Sequence, residues 1–220
     1  MKNLLCFGDS NTWGYSPVDG TRFSPNVRWT GVLQKSLGKD YRIIEEGLNG
    51  RTTFIDEDGR PLRSGSDVLP IILESHRPLD LVVIMLGTND LKVEFDLTVE
   101  DIAQGAKTLC EMVINSEYLE EYPPEILLIS PTLIGDYVIP EFDEVISSDK
   151  EFFDKARKQS FQFAEHYEKA ASELGINFLD AAKIVSPSKD EGVHWDAEQH
   201  ILFGKKLKTI IETIFLKKQN

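Results

Sequence analysis

Five short apolar runs, each ended by a turn signal, constrain this chain more than any other feature of its sequence. They span residues 3–7, 42–44, 81–86, 126–129 and 176–179. Helical patterns separate them, and strands alternating with helices read as a parallel α/β architecture. The near-continuous Leu, Ile and Val character of the runs suits strands covered on both faces, as those of a parallel sheet are. Three helices are predicted by their caps and spacing. Thr98-Val99-Glu100-Asp101 opens one that runs to about Ile114, and Ser148-Asp149-Lys150-Glu151 opens a long one closed by Gly175. The last follows Asp196, with Gln199 at the capping-box position and Leu207, Ile210, Ile211 and Ile214 as its inner stripe.

At 220 residues, with no repeat, low-complexity tract or Gly/Ser linker, the chain is expected to form one domain over residues 1–220. Thirty-seven acidic against 24 basic residues leave a formal charge of −13, which excludes a nucleic-acid partner because phosphate binding needs clustered cations. Cys6 and Cys110 belong to no metal-ligand pattern and form no disulfide framework, and neither Gly-x-Gly-x-x-Gly nor Gly-x-x-x-x-Gly-Lys occurs, so neither a metal nor another cofactor is expected. No apolar run approaches the ~20 residues of a membrane span, and the N-terminal one is too short for a signal peptide. A cytoplasmic protein with no membrane partner is the expectation.

In an open α/β sheet, ligands bind beyond the carboxyl ends of the strands, so chemistry belongs in the loops that follow them. After the first run comes Gly8-Asp9-Ser10-Asn11-Thr12-Trp13, where Ser10 is either a nucleophile or part of a hydrogen-bonded turn. A hydroxyl becomes nucleophilic only beside a base, and His is the side chain best matched to that task. His76, His166 and His200 read as surface or capping residues. His194 instead lies in a glycine-containing loop, Asp190-Glu191-Gly192-Val193-His194-Trp195, with a carboxylate three positions earlier. Two segments can offer donors to a developing oxyanion: Gly50 through its backbone N–H, and Asn89 through its side-chain amide. Asp9 is read as bonding the turn that presents Ser10, and Asp90 as bracing its own loop. Trp13 and Trp195 are candidates for pocket walls or for the core. The stretches 15–26 and 131–147 read as long loops.

Together these segments resemble the SGNH/GDSL hydrolase family. Gly8-Asp9-Ser10, Gly50, Gly87-Thr88-Asn89-Asp90 and His194 match its four blocks in order and separation, and Val27-Arg28-Trp29-Thr30-Gly31-Val32-Leu33, Ile44-Glu45-Glu46-Gly47-Leu48 and Ile84-Met85-Leu86-Gly87-Thr88-Asn89-Asp90 look like its aryl esterase/acyltransferase branch. The resemblance implies a three-layer α/β/α sandwich of flavodoxin-like type with a five-stranded parallel sheet. It also implies a serine esterase acting on carboxylic esters with short acyl groups through an acyl-enzyme. Ser10 would attack, His194 would relay the proton, and Ser10 N–H, Gly50 N–H and Asn89 would hold the oxyanion. Acyl transfer to alcohols, a small-molecule ester substrate and assembly into homo-oligomers follow from the same likeness. The sequence departs from the usual Asp-x-x-His: Glu191 stands three before His194 and is taken as the acid, with Asp190, or a triad reduced to Ser and His, as the alternative. Rival readings are a carbohydrate O-deacetylase, a thioesterase, and a non-catalytic flavodoxin-like ligand-binding module.

Overall fold

Strand β1 (Lys2–Gly8) is buried from Leu4 onward and forms the centre of the sheet, with β2 (Tyr41–Gly47) on one side and β3 (Leu81–Met85) on the other. The computed structural model describes residues 1–136 and 150–217. Strands β4 (Glu125–Ser130) and β5 (Asn177–Asp180) extend the sheet in the order β2-β1-β3-β4-β5, with every pairing parallel. In this register Gly8 lies opposite both Gly47 and Met85. The three strands therefore end level, and their loops emerge side by side at one edge.

Two apolar layers cover the sheet because side chains alternate faces along each strand. Leu5, Phe7, Val82, Ile84 and Leu128 meet α3 (Gly65–His76), α4 (Val99–Ile114) and α6 (Phe163–Leu174) through Leu69, Leu73, Ile102, Leu109, Phe163 and Tyr167. On the opposite face, Leu4, Cys6, Leu81, Val83 and Met85 meet α2 (Trp29–Leu37) and α7 (Ala197–Lys217) through Trp29, Leu33, Phe203, Leu207 and Ile211. This is the expected three-layer α/β/α sandwich. Cys110 and Cys6 are buried on opposite faces as free thiols. Among the described residues, no helix is long and apolar enough to cross a membrane.

The predicted cap of α4 is present in full: Thr98 Oγ1 accepts from Asp101 N, and the Asp101 carboxylate accepts from Thr98 N. The predicted long helix is corrected, for the described part is two helices, α5 (Lys150–Ser160) and α6, broken at Phe161 and Gln162. Ser160 Oγ donates to the Arg157 carbonyl and accepts from Ile134 N at 3.0 Å, so its hydroxyl competes with the helix ladder while tying it to the loop after β4. Ser148 and Asp149, and residues 137–147 of the predicted loop, lie outside the described residues. At α7, Asp196 caps Gln199 N at 2.9 Å, but the Gln199 side chain accepts from Ser186 N and does not close the capping box.

Candidate active site

Ser10 opens a single helical turn, α1 (Ser10–Trp13), immediately beyond β1. Asp9 caps that turn by accepting from Asn11 N at 2.9 Å, and Gly14, at φ 91°, ends it in the left-handed region. The loop between β5 and α7 brings His194 to the same edge. Its Nε2 lies 2.8 Å from Ser10 Oγ, and its Nδ1 lies 3.0 Å from Glu191 Oε2. The other Glu191 oxygen accepts from Val193 N at 3.1 Å and from His194 N. Gly192, at φ 79°, lets the chain fold back so that this carboxylate reaches a ring three residues away. Because a carboxylate only accepts, Nδ1 donates to it, and Nε2 is left to accept the Ser10 hydroxyl proton. Glu191 is fully buried, whereas Asp190 is exposed and bonds to Ser188.

The two donor segments are stitched to each other. Asn89 Nδ2 donates to the Arg51 carbonyl at 3.0 Å, and Thr53 donates through its N–H and hydroxyl to the Asp90 carboxylate. Burial pushes the Asp90 carboxyl up to about 6 against those bonds. Gly50 sits at φ 81°, a conformation that side chains resist. Beneath the site, Arg51 is buried against the Phe7 ring at 4.2 Å and donates to the Gly8 carbonyl, which burial opposes by lowering its guanidinium to about 10. Burial likewise raises Asp9 to about 6, opposed by Asn11 N–H and by the charges of His194 and Arg51.

Two contacts at the site have no counterpart in the sequence reading. Asn11 Oδ1 accepts from Trp195 N at 3.0 Å, tying the turn that carries Ser10 to the loop that carries His194. Tyr15 lays its ring on the His194 imidazole, with centroids 4.2 Å apart. Neither residue carries a motif of its own; only adjacence to Ser10 marked Asn11, and Tyr15 merely opened a predicted loop.

Three expectations are refined or corrected. Trp195 is a core residue, packed on Phe203 and donating from Nε1 to Thr132. Trp13 is half-buried, with the Arg22 guanidinium over its ring. His200 is not a surface or capping residue: it is fully buried between Trp195 and Phe23, and Nδ1 accepts from Trp29 N. Burial drives its imidazole down to about 3, with the charge of His194 adding to the effect. His76 pairs with Glu46 at 2.8 Å, and His166 lies beside Glu100. Among the described residues, no group of three or more His, Cys, Asp or Glu side chains could hold a metal ion.

The model of the GDSL-like Lipase/Acylhydrolase family matches residues 6–201, an interval that contains every residue of this constellation. The chain belongs to that family. Among solved structures, it is similar to a carbohydrate acetylesterase from Sinorhizobium meliloti at 34% identity and TM-score 0.90, covering 97% of this chain and 100% of that one. It is also similar to an aryl esterase from M. smegmatis at 38% identity and TM-score 0.89, covering 97% and 99%. A lipase/acylhydrolase from Enterococcus faecalis, at 19% identity and TM-score 0.64 over 97% of this chain and 96% of that one, shares the fold. No curated protein matches the chain. This member of the GDSL-like family is a carboxylic ester hydrolase, which displaces the reading as a non-catalytic ligand-binding module.

Proposed function

We propose that this hydrolase cleaves esters of short acyl groups through an acyl-enzyme formed on Ser10. The relay from Glu191 through His194 to Ser10, at 3.0 and 2.8 Å, carries the reading. As Ser10 Oγ bonds to the ester carbonyl carbon, His194 Nε2 takes its proton, and Glu191 holds the imidazolium that results. The carbonyl oxygen becomes an oxyanion facing Ser10 N–H, Gly50 N–H and the Asn89 amide. Collapse of the intermediate expels the alcohol, which takes the proton from His194. Water then attacks the acyl-enzyme by the same relay and releases the acid. An alcohol in place of water gives acyl transfer.

Ser10→Ala should abolish hydrolysis of an aryl acetate, and full turnover by that variant would refute the nucleophile. The rate should be indifferent to EDTA, since the relay supplies nucleophile, base and oxyanion donors from side chains and backbone alone. The aryl esterase and carbohydrate acetylesterase likenesses support two substrate readings of the same chemistry. Initial rates on an aryl acetate, an acetylated sugar and an acyl thioester, measured side by side, separate ester, O-deacetylase and thioesterase preference.

A further inference from the structure

A tight turn places a guanidinium directly on the Gly50 segment. Glu57 O accepts from Arg60 N at 3.0 Å, and Gly59, at φ 77°, lets the chain reverse there. Arg60 Nη2 donates to the Asn49 carbonyl at 3.1 Å, and a Cβ built on Gly50 would fall 2.7 Å from Nη2 and 3.0 Å from Cζ. The φ of 81° is what disfavours a side chain at Gly50, and the Arg60 guanidinium lies over the position a Cβ would take. Arg60 also bonds to Glu57 at 3.0 Å, and the same carboxylate accepts from Lys92 Nζ at 2.6 Å. Lys92 follows Asn89–Leu91, so the Lys92–Glu57–Arg60 chain bridges the two segments that carry the proposed oxyanion donors.

Charge and exposure distinguish this chain of contacts from a simple brace. The single carboxylate of Glu57 is shared by two cations, leaving the trio with one net positive charge. Burial raises the Glu57 carboxyl, but Lys92 and Arg60 more than reverse this and keep it below its ordinary value. Residues 49–63 with Lys92 hold four cations, Arg51, Arg60, Arg63 and Lys92, against three acids in a chain of net charge −13. Lys92 is 5% exposed and locked, while 42% of the Arg60 side chain is open to solvent. Its bonds are made by Nη1 and Nη2, so at least two of its five N–H groups have no protein partner among the described residues. An Arg fork bonded to Glu57 and the Asn49 carbonyl, with donors left unused, matches a planar carboxylate.

We propose that Arg60 is a specificity-determining residue that recognises an anionic group, a carboxylate above all, carried by the ester substrate. This rests on the reading of Gly50 as an oxyanion donor, which sets the guanidinium beside the scissile carbonyl. The anion comes from the alcohol side, as in an acetylated hydroxy acid, or from the acyl side, as in a half-ester of a dicarboxylic acid.

The test compares kcat/KM within matched pairs: 4-acetoxybenzoate against its methyl ester for the alcohol side, and 4-nitrophenyl hydrogen adipate against 4-nitrophenyl methyl adipate for the acyl side. The enzyme should prefer the charged member of one pair by about tenfold, the scale of one charge-assisted hydrogen bond at an open site. That ratio should fall to about one in Arg60→Gln, be partly kept in Arg60→Lys, and shrink in 1 M salt. Equal ratios in the native enzyme and Arg60→Gln for both pairs would overturn the proposal, whatever happens to the absolute rates. Binding of 4-acetamidobenzoate, an amide that is not turned over, separates the two readings. If it binds more weakly to Arg60→Gln while the native enzyme cleaves no ester, the hydrolase mechanism fails and the anion subsite stands. Neutral-ester turnover with charge-blind ratios fails the subsite alone.

Discussion

Glu191 stands where a Ser-His-acid relay usually has a shorter acid, and the geometry shows where the extra methylene goes. One oxygen holds the imidazole, while the other turns back onto the N–H groups of Val193 and His194, so the side chain is fixed at both ends. Glu191→Gln should therefore slow aryl acetate hydrolysis about 10³–10⁴-fold, the scale seen when the orienting acid of a Ser-His-acid triad loses its charge. Asp190→Asn should stay within about twofold, because Asp190 is exposed and bonded to Ser188. The reverse pattern in steady-state kinetics would move the acid to Asp190. Asn89→Ala should reduce kcat about 10²–10³-fold if its amide meets the oxyanion, with KM little changed. In the sequence, Glu191 is marked by its place three residues before His194 together with the resemblance to a motif that has an acid there. No local signal could have revealed Asn11 or Tyr15, whose partners lie in the distant loop of His194.

Among elements, the short α1 is held in place by what β2 lacks. A Cβ on Gly47 would fall 2.2 Å from Trp13 N and 2.5 Å from Thr12 C, which are backbone atoms with nowhere to go. Gly47→Ala should accordingly push the turn carrying Ser10 outward, costing about 1–3 kcal/mol in urea unfolding and lowering kcat more than an Ala on a free strand end would. Helices differ in how clearly the sequence announces them. The capping box of α4 is local chemistry and was legible. Helices α2 and α3 carry no side-chain cap bond, and α3 contains Pro70, so packing rather than end signals stabilises them. Beside the break between α5 and α6, Ile134 N donates to Ser160 Oγ, a contact that no helical periodicity can encode.

For the whole molecule, three buried titratable groups shape stability against pH in opposite senses. His200, near 6.5 when unfolded and about 3 when folded, is neutral in the core while the unfolded chain takes up its proton. The stability it supports is present above pH 6.5 and is lost as pH falls toward 3, by up to ~1.4 kcal/mol per pH unit. His200→Gln should consequently gain on the native protein as pH falls through that window in urea melts. Asp9 and Asp90, raised from 3.8 to about 6, work the other way: between those values the folded state keeps protons that the unfolded state releases. Their contribution is lost as pH rises through 6, so Asp9→Asn should be more stabilised relative to the native protein at pH 8 than at pH 5. A flat difference in either comparison would show that the group does not titrate in the core.

The alternation of apolar runs with caps and turns is chemistry among neighbours in the chain. It was enough to set the parallel sheet, the α4 cap and the identities of Ser10, His194, Gly50 and Asn89 as candidates. Which loops meet is a different matter, because Ser10 and His194 are 184 positions apart and touch only when strands of one direction end at a common edge. The same edge decides what patterns cannot: His200 and Trp195 turn inward against Phe203 and Phe23, Asn11 reaches Trp195 N, and Arg60 lies over Gly50. Each of those contacts joins segments whose local sequence is indifferent to the other. Their energy exists only after the sheet has brought them together.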